Sequence, residues 1–185
     1  MIAKKILPVI LSAFLFFSFN SPAQAEFFSI SVGIPVTHTL SDSDLEADGV
    51  SGYMAHFKLP IMIGLGLESY ETGIKSFSGA SDIKLKTNMY DIFWLAPIPI
   101  INFTIGAGLG TAEFDCNIDS GGTCSDAFDK AAVTQWWAQL GITLLPLLDV
   151  HMSYHKVSGE VEGKDNNPNF DVGGEVIAVG VSLIF

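Results

Sequence analysis

In the stretch FFSISVGIPVTHTL, apolar and polar residues alternate one by one. Phe28, Ile30, Val32, Ile34 and Val36 fall on one side, and Ser29, Ser31, Gly33, Pro35 and Thr37 on the other. Successive side chains of a strand point to opposite faces, so this period of two predicts a strand with one greasy and one polar face. Pro35 lacks a ladder donor and predicts a bulge. INFTIGAGLGTAEF repeats the pattern, with Ile101, Phe103, Ile105, Ala107 and Leu109 opposed to Asn102, Thr104, Gly106, Gly108 and Gly110. LLDVHMSYHK sets Leu148, Val150, Met152 and Tyr154 against Asp149, His151, Ser153 and His155. The final run, EVIAVGVSLIF, alternates up to its last residue, Phe185.

The segments FKLPIMIGLGLES, FWLAPIPIINFTI and ITLLPLLDVHMSY share a strand–proline–strand layout. Proline fixes φ and ends pairing, so Pro60, Pro97/Pro99 and Pro146 mark three tight turns. Four polar, acidic stretches lie between them: SDSDLEADGVS, ETGIKSFSGASDIK, FDCNIDSGGTCSDAFDK and SGEVEGKDNNPNFDVG. Eight strands are therefore expected, at 27–39, 51–59, 62–71, 84–95, 100–114, 129–144, 148–158 and 174–185. Short turns alternating with long loops predict an all-β chain, an eight-stranded antiparallel transmembrane up-and-down β-barrel. At this strand number side chains just fill the interior, so the expected barrel is plugged.

The N-terminus adds a destination. MIAKKILPVILSAFLFFSFNSPAQA carries Lys4 and Lys5, an apolar run and Ala23-Gln24-Ala25. That is the layout of a cleavable export signal over 1–25, leaving the barrel domain as 26–185. The apolar run is too short for a spanning helix of ~20 residues. Mean hydropathy is +0.41, high for a chain with net charge −11. A closed barrel reconciles the two, because it satisfies every backbone group within lipid without a helix. The chain has no arginine and 9 lysines against 20 acidic residues. Nucleic acid is excluded as an expected partner, since phosphate binding needs clustered basic residues.

The closing strand resembles the C-terminal strand of bacterial outer-membrane β-barrel proteins: a terminal Phe185 preceded by apolar residues at every second position. Ile177 stands where that family commonly has an aromatic residue. The size and strand count resemble the small eight-stranded members, the OmpX-like proteins and the OmpA membrane domain. The resemblance implies residence in the bacterial outer membrane, contact with its lipids and lipopolysaccharide, and recognition of Phe185 by the barrel insertion machinery. A monomer is expected, and the ligand of the external loops, if there is one, is unspecified.

Candidate chemistry is sparse. Cys116 and Cys124 lie in one loop of an exported chain, which points to a disulfide. The expected inward polar set is His56, Lys58, Glu68, Asp91, Glu113, His151, Ser153 and His155. Buried charges need partners, so this set reads as a lumen network of ion pairs and hydrogen bonds. HMSYH offers an enzymatic alternative. It resembles part of the His-x-Ser site of lipid A deacylases, in which His151 would activate Ser153 for attack on an ester. That family continues with Asn-Ala-Gly, whereas Tyr154, His155 and Lys156 follow here. The acidic loops lack a calcium-loop spacing, and Lys84 and Lys86 are a thin basis for a phosphate site. No cofactor or metal is expected. The leading reading is a filled barrel with an envelope-structural or surface-interaction role through its acidic loops. The alternatives are an ester hydrolase and a narrow channel for small solutes.

Overall fold

The computed structural model describes residues 28–75, 80–96, 101–118, 122–145, 147–164 and 167–185. The expected export signal over 1–25 and the proline turns at Pro97/Pro99 and Pro146 lie outside them. Strands β1 (Ser29–Leu40), β2 (Ala47–Lys58), β3 (Ile63–Ile74), β4 (Ala80–Ala96) and β5 (Ile101–Ile118) are followed by a single helical turn, α1 (Cys124–Ala127). Then come β6 (Ala131–Leu145), β7 (Leu148–Ser158), the short pair β8 (Glu160–Val161) and β9 (Phe170–Asp171), and β10 (Gly174–Ile184). The sheet closes in the order β1-β10-β7-β6-β5-β4-β3-β2, with every pairing antiparallel. At the seam Phe185 donates its backbone N–H to Phe28, and their rings stack at 5.0 Å. The last strand thus completes the cylinder by pairing with the first.

β4 and β5 have 17 and 18 residues. At a rise of ~3.3 Å per residue they are about 60 Å long, more than a tilted crossing of a ~25 Å apolar band requires. The surplus lies at the long-loop end, and polarity changes sign along the strands there. Toward the short turns, apolar side chains face out: Ile92, Leu109, Leu140, Met152 and Val179 are all exposed. Tyr53, Tyr90 and Trp136 stand exposed at one border of this band, and Phe57 and Trp94 at the other. Aromatic side chains favour the two membrane interfaces. Beyond the tyrosine border the same alternation carries apolar residues inward. Ile83, Leu85 and Met89 are buried, whereas Lys84 and Glu71 on the outer face pair at 3.3 Å.

This reversal corrects one expectation. Glu113 shares the parity of Leu109 and faces outward, where its carboxylate meets Lys130 at 3.3 Å. It lies above the apolar band, so solvent meets a charge that lipid would have rejected. A second correction follows from the bulge. The β1–β10 register shifts between Pro35 and Thr37. One extra residue flips the phase, so His38 rather than Thr37 turns inward and is buried.

Candidate functional site in the barrel interior

The interior is built in three levels. Glycines on inward positions of one strand receive large side chains from its neighbours. A Cβ on Gly106 would lie 2.4 Å from the Trp137 ring, one on Gly108 2.1 Å from Asp91, and one on Gly66 2.4 Å from His56. Small-against-large alternation of this kind fills a narrow barrel.

At the short-turn end the lumen is polar. His151 lies between two hydroxyls, with Nε2 3.2 Å from Ser31 and Nδ1 3.1 Å from Ser182. Gly180 faces His151 across the β10–β7 pair and leaves space for the ring to lean over it. Asn102 donates to the Asp149 carboxylate. Lys58 is buried at this level. A cavity of about 40 Å³, room for a water molecule or so, runs from Ser29 and Ile184 at the strand ends to His56 and Trp137.

The middle level carries the densest chemistry. The Glu68 and Asp91 carboxylates are both buried, and one amide, Gln135 Nε2, donates to each, at 3.0 and 2.7 Å. His56 Nε2 and His155 Nδ1 stand 3.4 and 3.3 Å from the same oxygen, Glu68 Oε1. Neither contact has hydrogen-bond geometry. Trp137 packs against both imidazoles, at 4.9 Å from His56 and 5.5 Å from His155, and Phe93 closes the group. Ser153 hydrogen-bonds His155 Nε2 at 2.8 Å.

The structure therefore redistributes the predicted residues. His56, Glu68, Asp91, Ser153 and His155 come together. His151 and Lys58 lie nearer the short turns, and Glu113 is outside. His151 does not engage Ser153; His155 does, while its other ring nitrogen faces Glu68 Oε1 at 3.3 Å without a hydrogen bond. Sequence reasoning missed Gln135, although its parity with the inward Trp137 marked it.

The outer level is mostly apolar, with Met54, Leu85, Met89, Val133, Val157 and Val176 at its core and His38 hydrogen-bonded to Thr72 among them. The external connections continue it. Leu45, Val161 and Val172 are buried there, and Phe114, Phe128 and Phe170 meet edge to face at 5.4–6.0 Å. Cys116 and Cys124 are joined, with Cα atoms 5.2 Å apart. Backbone bonds knit the loops together: Ser41 to Gly173, Asp129 to Glu162, and Lys164 to Ala127. At the start of α1 the Asp126 carboxylate accepts the Thr123 backbone N–H at 2.9 Å, which holds its pKa below the usual aspartate value.

No family model and no curated protein sequence matches the chain. Solved structures do. Neisserial surface protein A superposes with a TM-score of 0.64 at 11% identity, over 86% of this chain and 97% of that one. Outer membrane protein W of E. coli gives 0.56 at 13%, covering 88% and 100%. The attachment invasion locus protein Ail of Yersinia pestis gives 0.55 at 16%, covering 85% and 97%. At identities this low, the superpositions show a shared fold and nothing more. With its closed eight-strand sheet, apolar outer band and aromatic borders, the chain is a small transmembrane β-barrel of the bacterial outer-membrane type.

Proposed function

We propose that this barrel is a sealed anchor that presents a folded acidic cap outside the cell. The observation that carries this reading is the continuity of the apolar outer lumen with the apolar undersides of the external loops. A barrel built to pass solutes has no use for Leu45, Val161 and Val172 buried in its mouth. The cap's outer face carries Asp42, Asp44, Asp126, Asp129, Glu160 and Glu162, which suits a partner with a basic surface. Two neighbours named as a surface protein and an attachment protein are consistent with a role at the cell surface.

In planar bilayers the purified protein is expected to pass no ohmic current, and conductance steps would overturn the seal. Cells carrying it are expected to bind polylysine-coated beads in a salt-dependent manner. Equal binding by cells lacking it would overturn the display role.

One observation favours a second reading, hydrolysis of an ester: Ser153 hydrogen-bonds His155 at 2.8 Å, the pairing of a nucleophile with its base. Ser153 is 4% exposed, so the sealed-anchor reading is preferred. Release of an acyl chain from lipid A, abolished by Ser153→Ala, would reverse that preference.

A further inference from the structure

We infer that the middle level of the lumen is a binding site for one divalent transition-metal ion, held by His56, Glu68 and Asp91. Donor atoms of these three side chains all lie within 4.8 Å of one another, and all three residues are buried. Three strands supply them: β2, β3 and β4, at registers that the barrel fixes.

Four features point to a cation. The first is charge. Two carboxylates buried side by side are costly unless one keeps its proton or positive charge lies close at hand, and a divalent ion supplies that charge at the point where they converge. The second is spacing. A metal with bonds of ~2.0–2.1 Å to nitrogen and oxygen places neighbouring ligand atoms about 3.3 Å apart in a tetrahedral shell. His56 Nε2 lies 3.4 Å from Glu68 Oε1. The third is hydrogen bonding. His56 Nε2, Glu68 Oε1 and Asp91 Oδ2 are buried without a hydrogen bond of acceptable geometry, and the first two stand 3.4 Å apart. Metal coordination uses the lone pairs that hydrogen bonding leaves idle. The fourth is the surrounding support. Gln135 donates to the other oxygen of each carboxylate, so Glu68 Oε1 and Asp91 Oδ2 remain available. Ligating carboxylates are held by hydrogen bonds in this way.

His155 Nδ1, 3.3 Å from Glu68 Oε1, is a neighbour of the site, and Ser153 fixes its far side. His56 also lines the small cavity that reaches Ser29 and Ile184 near the short-turn end. One imidazole with two carboxylates suits Zn²⁺, Mn²⁺ or Fe²⁺, and it does not suit the all-oxygen preference of Ca²⁺.

The test uses the full-length processed barrel, refolded in detergent micelles and checked by its heat-modifiable migration. Equilibration with Zn²⁺ and then desalting is expected to leave one zinc per chain. Co²⁺ is expected to give ligand-field bands and to quench Trp137, which packs on His56. Glu68→Gln and Asp91→Asn, nearly isosteric, are each expected to weaken zinc binding at least tenfold in competition with a chromophoric chelator. Glu46→Gln, in the cap, is expected to leave binding unchanged. Three results would overturn the proposal: no retained zinc in the wild-type barrel, zinc retained equally by the lumen variants, or zinc lost in the cap variant. NMR showing His56 and His155 both doubly protonated against Glu68 at neutral pH, with no zinc retained, would assign the charge balance to imidazolium instead.

Discussion

Replacing Trp137 with alanine removes the ring against which His56, Phe93 and His155 pack, at centroid distances of 4.9, 5.6 and 5.5 Å. The indole is 1% exposed. An aromatic side chain of this size buries up to ~250 Å², worth at most about 6 kcal/mol at ~25 cal/mol per Å². Part of that area is already hidden in a real unfolded chain, and core truncations of this kind cost about 3–5 kcal/mol. That range is the expected loss. With a urea slope of ~2 kcal/mol per M, the unfolding midpoint should fall by about 1.5–2.5 M. The assay is urea unfolding in micelles, followed by emission of Trp94 and Trp136 and by gel mobility. The same geometry predicts a rescue. A Cβ on Gly106 would sit 2.4 Å from the Trp137 ring, so Gly106→Leu should destabilise the wild type yet refill the space left by Trp137→Ala. The two changes are in contact, and non-additivity is expected. A Trp137→Ala loss under about 1 kcal/mol, or a Gly106→Leu effect of the same sign and size in both backgrounds, would refute the packing argument.

Other outcomes follow from the cap and the seam. Reducing the Cys116–Cys124 bond, which closes a short loop, is expected to release about 2–3 kcal/mol of constraint. Protease should then cut between Gly122 and Asp129 while the barrel keeps its gel mobility; simultaneous loss of the barrel would count against a separate cap. Asp126 binds the Thr123 amide as a carboxylate, so its contribution is present above the ordinary aspartate range and is lost as pH falls through its lowered folded value. The Thr123 amide resonance should shift below about pH 3.8, and Asp126→Ala should abolish that shift. Gly180→Ala places a Cβ 2.4 Å from both His151 Nε2 and the Val32 carbonyl, whereas the nearest atom to one on Gly33 is at 3.2 Å. Gly180→Ala should cost about 1–3 kcal/mol by urea unfolding and displace the His151 ring resonances, with Gly33→Ala milder. Equal costs would refute the crowding at Gly180.

Period-two alternation made the wall legible. Phe28, Ile101 and Met152 all face out as their spacing predicts, and the eight barrel strands fall within a few residues of the expected spans. The extra length of β4 and β5 was less legible. Ile83, Leu85 and Met89 follow the same period as Asp91 and Phe93, but an apolar inward residue contradicts a uniformly polar filling. Glu113 was misplaced by that assumption rather than by its spacing. His38 could not be placed from periodicity, because a bulge changes the phase without leaving a trace in hydropathy. The meeting of His56 with Glu68 was partly legible, since both lay on inward faces. The preference of Ser153 for His155 over His151 depends on ring rotations that Gly180 permits, and a single strand does not encode them.

The reversal of polarity along each strand bears on how the barrel chooses its alignment. Shifting β4 by one residue against its neighbours would drive Lys84 and Lys86 into the apolar interior of the cap and turn Asp91 toward hydrocarbon in the same movement. In a barrel of uniform alternation the lipid side would supply the main penalty for such a misalignment. Here a watery upper storey and an oily lower one veto it together, so correct alignment is enforced twice by one stretch of chain.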